Sequence, residues 1–130
     1  MKKILLLILL SLSITSCVTA PSYIKERAVL DLNKECADLL ISPGYQESAN
    51  NSSMGLTHAY FSVARFETTD NVAVCSYGTG GKLATTDLQV RSIALSGCEE
   101  MRLNYMSQNN ILLKACEIYA KNNQILGIED

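Results

Sequence analysis

The sequence predicts an α+β fold, a short antiparallel β-sheet of about four strands carrying two helices and tied by two disulfides. Three observations predict it. Tyr60–Phe66 and Asn71–Tyr77, rich in Val, Phe, Tyr and Ala, flank Glu67-Thr68-Thr69-Asp70, which is a hairpin pattern. Val90, Ala94, Gly97, Met101 and Tyr105 then recur at helical spacing behind Thr86-Asp87-Leu88-Gln89, a capping box. Cys36, Cys75, Cys98 and Cys116 are spread over a chain too short for a large core, where cross-links stabilise most.

The elements follow in order. Met1-Lys2-Lys3 precedes an apolar run from Ile4 to Ile14, the layout of an export signal. That run is well short of the roughly 20 residues needed to cross a bilayer. No Ala-x-Ala stands before a cut, and Ala20 is followed by Pro21, which disfavours ordinary cleavage there. Ile14-Thr15-Ser16-Cys17 reads aliphatic, small, small, Cys, and the segment resembles a bacterial lipoprotein signal with its lipobox. The resemblance implies removal of residues 1–16 and a membrane anchor through acyl chains on Cys17. Three such chains, at about 0.8 kcal/mol per buried methylene, would hold essentially permanently. Val18 follows the cysteine where aspartate would favour inner-membrane retention. The resemblance therefore implies the outer membrane, facing the periplasm, or the outer face of the plasma membrane if the source has one membrane. Residues 17–21 make a lipidated tether, of which Val18–Pro21 reaches only about 14 Å. Residues 22–130 are expected to form one small domain.

Within that domain, Val29, Leu32, Cys36, Leu39 and Leu40 predict a helix from about Ser22 to Ile41, ended by Pro43-Gly44. Ser42 to Gly55, rich in Ser, Asn, Gly and Gln and without apolar period, reads as a mobile loop. In the second hairpin strand Ala73, Cys75 and Tyr77 share one face, and Val72, Val74 and Ser76 the other. Gly78-Thr79-Gly80-Gly81-Lys82 lacks the spacing of a phosphate-binding loop, since Leu83 follows the lysine, and reads as a turn needing positive φ. On the long helix, Arg91, Ser92, Glu99 and Arg102 form the solvated face. Leu112 to Ala120 reads as a strand, and Asn122-Asn123 as a left-handed turn into a last strand at Gln124 to Ile128.

Composition narrows the function classes. Removing residues 1–16 from the 130 leaves 114, with nine basic residues against 13 acidic ones. The basic residues are scattered singly, which disfavours a nucleic-acid surface. There is no Trp and only two Phe, so neither stacked bases nor a broad sugar platform is served. Metal binding is disfavoured because no Cys-x-x-Cys occurs and His58 is the single histidine. No cofactor is expected.

The four remaining cysteines permit three pairings, with free thiols as the other outcome. The stretches around Ala94-Leu95-Ser96-Gly97-Cys98 and Lys114-Ala115-Cys116 are similar to a recurring type of small exported bacterial domain of unknown function. In that type a helix cysteine after an Ala-Leu pair is stapled to a cysteine in the following strand. The resemblance covers about Ala59 to Leu126 and implies a Cys98–Cys116 bridge. By default it leaves Cys36 to join Cys75.

A catalytic reading has little to work with. Ser62, Ser76 and Ser92 lack a nucleophile elbow. Glu99-Glu100 point about 100° apart on a helix and cannot be a paired acid and base on one helix face. His58 reads as a strand-edge residue with a backbone partner. With no constellation of nucleophile, base and oxyanion donor, no catalytic residue is assigned. The expectation is a non-catalytic envelope lipoprotein that binds a protein partner of unknown identity or stabilises an envelope assembly. The alternative is a periplasmic inhibitor or immunity protein against a hydrolase or toxin, with Ser42–Gly55 or Gly78–Lys82 plugging the target. A small hydrolase ranks last.

Overall fold

The computed structural model describes residues 19–127 and has an α+β fold, with four α-helices and a four-stranded antiparallel sheet. Helices α1 (Ser22–Asp31), α2 (Lys34–Leu40) and α3 (Pro43–Asn51) come first, followed by a single 3₁₀ turn at Ser52–Met54. The hairpin strands β1 (Thr57–Arg65) and β2 (Val72–Gly81), the long helix α4 (Asp87–Asn109), and the strands β3 (Glu117–Lys121) and β4 (Gln124–Ile125) complete it. The sheet order is β2-β1-β3-β4, so β2 is an edge strand and β1 is central.

The single helix expected over Ser22–Ile41 is two helices. Leu32 is extended, and Asn33 opens α2 by accepting the Cys36 N–H at 2.8 Å on its side chain. The break lets Ile24 and Ala28 of one helix and Cys36 and Leu40 of the next all face the sheet, which a straight rod could not do. The mobile loop expected over Ser42–Gly55 is also helical. Ser42 is its N-cap and Pro43 stands in its first turn, where a missing N–H costs nothing. Its inward face is Tyr45, Gln46 and Ala49, too polar a set to register as an apolar period.

These three helices cover one face of the sheet. Tyr45 and Phe61 are fully buried, in edge-to-face contact at 5.6 Å, and Tyr77 and Tyr119 extend the cluster. Packing begins at Ala20, which is buried in this core, and the Asn50 amide donates to the Thr19 carbonyl at 3.1 Å.

On the opposite face α4 crosses β1 and β2. Its capping box forms as expected, with Thr86 and Gln89 exchanging hydrogen bonds. Val90, Ala94 and Cys98 are buried, whereas Met101 of the expected apolar face is exposed. The Gly-rich segment is not a positive-φ turn. Gly78 to Gly81 continue β2, and a Cβ on Gly78 would lie 2.5 Å from the Val90 carbonyl oxygen, so glycine there permits close approach of the helix. After α4, Leu113 makes an isolated bridge to Phe66, and the expected Leu112–Ala120 strand begins only at Glu117. Asn122 takes φ 56° as expected, and the short β4 ends at Ile125; residues 128–130, including Ile128 of the expected strand, lie outside the described residues.

Candidate functional site

Cys17, the expected lipidation site, and residues 1–16, expected to be a signal, lie outside the described residues. The other four cysteines pair as Cys36–Cys75, with Cα atoms 5.9 Å apart, and Cys98–Cys116, at 6.1 Å. The first bridge ties α2 to the edge strand, and the second ties mid-α4 to the residue before β3. The helix side chains expected to be solvated have a structural use there. Glu99 accepts the Cys116 N–H at 2.8 Å and pairs with Arg102, whose guanidinium also donates to the Leu113 carbonyl. Sequence spacing could not reveal these partners, since they depend on how the chain returns after α4.

His58 is not a strand-edge residue with a backbone partner. It lies on central β1, with Nδ1 3.4 Å from Asp87 Oδ1, and Asp87 opens α4. The Tyr60 hydroxyl donates to the other carboxylate oxygen at 2.6 Å, and Lys121 Nζ stands 3.5 Å from the first. The Tyr60 hydrogen bond, followed by the nearby Lys121 charge, holds the Asp87 carboxyl below its ordinary range. Burial, reinforced by Asp87, keeps the Tyr60 phenol protonated above its ordinary range. The carboxylate thus accepts the Tyr60 hydrogen bond with the His58 ring and the Lys121 ammonium close by, which secures the start of α4 to β1 and β3. Among the described residues no serine or cysteine hydrogen-bonds to His58. Ser62, fully buried, donates to the Ala94 carbonyl at 2.6 Å and is committed to holding α4 on the sheet.

The feature best shaped to receive a ligand lies elsewhere, along the outer edge of β2. Lys82 N donates to the Leu56 carbonyl at 3.0 Å, which fixes the ladder phase. Even-numbered residues from Val74 to Gly80 therefore turn their peptide groups toward β1, and Cys75, Tyr77 and Thr79 turn theirs outward. Asn33 closes one end of this edge by donating to the Val72 and Ala73 carbonyls at 3.0 and 3.3 Å. Beyond that point no described strand pairs with it.

The edge forms the floor of a groove of about 590 Å³. Glu35 and Leu39 of α2 form one wall; Met101, Asn104, Tyr105 and Gln108 of α4 form the other. That volume lies within the roughly 300–1,000 Å³ typical of ligand clefts. Glu35 makes no ion pair among the described residues, whereas its neighbour Lys34 is paired with Asp38. Sequence reading missed this groove. Its one available signal was the small residues Gly78, Gly80 and Gly97, which let α4 lie close over β2 and so build a wall beside it. No protein-family model, curated protein or solved structure matches the chain.

Proposed function

We propose that this chain is a lipid-anchored, non-catalytic protein of the cell envelope that binds an extended segment of a protein partner along β2. The observation that carries the reading is the walled open edge. Peptide N–H and C=O groups at Cys75 and Tyr77 within the groove, and at Thr79 on the same edge just beyond it, are matched best by another main chain in extended form. Strand addition supplies affinity through the backbone and leaves selectivity to alternating side chains. One set would meet Leu39 and Glu35, favouring an apolar residue beside a basic one; the other would meet Met101 and Tyr105. The two disulfides fit an oxidising compartment, and Ile14–Cys17 supplies the anchor, with the periplasmic face of the outer membrane as the favoured address.

The test is crosslinking in intact cells, comparing the natural chain with Thr79→Pro. Proline at an edge position whose N–H faces outward is tolerated by a sheet but removes one docking donor and blocks close approach of a strand. The natural chain should yield a defined partner and the variant should lose it, with thermal unfolding little changed. Equal recovery from both chains would rule out the β2 edge. A lipid label from palmitate that disappears in Cys17→Ser would establish the anchor separately.

A further inference from the structure

We infer that the end of the domain bearing Met54, Leu56 and Leu83 is a membrane seat that rests in the lipid headgroup layer. The inference depends on the anchor at Cys17 proposed above. It starts from where the chain enters the fold. Thr19 is held to the C-terminal turn of α3 by Asn50 and stands two positions after Cys17, with Val18 alone between them. Fully extended, two residues span at most about 7 Å. A lipid on Cys17 therefore holds the end of α3 against the bilayer surface, with no slack for the domain to stand away.

That same end carries side chains otherwise hard to place. The 3₁₀ turn after α3 ends in Met54, 66% exposed, and Gly55 at φ 75° turns the chain into Leu56, 57% exposed. Leu56 is tied to both neighbouring segments: its N–H donates to the Asn51 carbonyl at 3.4 Å and its carbonyl accepts from Lys82. Leu83, next to Lys82, is fully exposed. Three large apolar groups thus project from the two loops beside the tether, with a cationic side chain among them. Apolar side chains flanked by Lys suit the boundary between headgroups and acyl chains, most of all where the lipids are anionic.

The seat also fixes the direction of the partner groove. β2 leaves the membrane end at Gly81 and runs to Val72, and α4 runs the same way from Asp87 to Asn109. At about 3.3 Å per residue, the groove floor near Cys75 lies roughly 25 Å from Leu83 along the strand. It opens into the aqueous compartment.

The test uses the full lipidated chain in vesicles of phosphatidylethanolamine and phosphatidylglycerol, with an environment-sensitive fluorophore on Leu83→Cys or on Leu112→Cys. Leu112 is also exposed, at 69%, but follows the far end of α4. Brominated lipids should quench the label at position 83 several-fold more strongly than at 112, and Met54→Ser with Leu56→Ser should weaken that quenching. Equal quenching at both positions in a chain that still floats with the vesicles would overturn the seat alone. A label at 83 already shielded without vesicles would assign the patch to a protein contact and overturn it too. A chain that fails to float would sink the anchor and the seat together.

Discussion

The two faces of this sheet are built by different means. On one, three short helices cover β1 and β2, and the packing is aromatic: Tyr45 on Phe61 and Tyr77, and Phe61 on Tyr119 of β3. On the other, one long helix comes close because the residues between it and the sheet are small, among them Gly78, Gly97, Ala94 and Ser62. The aromatic face depends on buried volume, the α4 face on backbone proximity. Each face has its own disulfide, so the difference can be probed one face at a time.

Removing the bridges should have the largest effect. Cys36–Cys75 closes a separation of 39 residues and Cys98–Cys116 one of 18. In the chain-entropy model these contribute about 4 and about 3 kcal/mol. Replacing each pair by alanine should therefore destabilise the aromatic face slightly more, read from urea unfolding midpoints. The reverse order would mean that α4 is held chiefly by its bridge and the aromatic face chiefly by packing, which would sharpen the contrast.

How legible each face is in the sequence follows from the same difference. The α4 face announces itself because a helix of 23 residues gives the apolar period room to repeat, and Thr86 with Gln89 marks its start. The hairpin is equally legible, since its alternation and turn are local. On the aromatic face no helix exceeds 10 residues. Leu32 and Cys36 look continuous in sequence although Asn33 redirects the chain between them. Gln46 reads as a loop residue, yet it is fully buried because Asn123, 77 positions away, answers its amide with a reciprocal pair of hydrogen bonds. The groove was illegible for a related reason: whether β2 ends up at an edge is decided by β3 pairing on the other side of β1.

High pH should separate the faces next. Burial pushes the Tyr45 phenol far above its ordinary value, and burial together with the Asp31 hydrogen bond does the same for Tyr119. A folded pKa above the unfolded one stabilises fully below the unfolded value, about 10 for tyrosine, and is lost as pH rises beyond it. Above that pH, Tyr45 alone should cost about 1.4 kcal/mol per pH unit. Absorbance near the phenolate band should show both aromatic-face tyrosines ionising only with unfolding, and Tyr45→Phe should flatten the loss of stability. Ionisation of these two before any loss of far-ultraviolet dichroism would mean that the aromatic face opens independently of α4.

The smallest effects test the α4 face most directly, because two glycines in one contact should respond with opposite signs. A methyl group on Gly78 would stand 2.5 Å from the Val90 carbonyl oxygen and 3.0 Å from the Ala94 nitrogen, both backbone atoms of α4. Neither can yield unless the helix moves, so Gly78→Ala should cost about 1–3 kcal/mol, the usual range for overpacking. A methyl group on Gly97 would instead meet the Ser76 hydroxyl, the end of a side chain that can rotate away. Alanine also favours a helix interior over glycine by about 1 kcal/mol, so Gly97→Ala should be neutral or stabilising. If both substitutions proved equally harmful in denaturant unfolding, backbone proximity would be required along the whole helix, Ser76 included. If both were harmless, α4 would have slack against β2, and the groove wall formed by Met101 and Tyr105 would move with it.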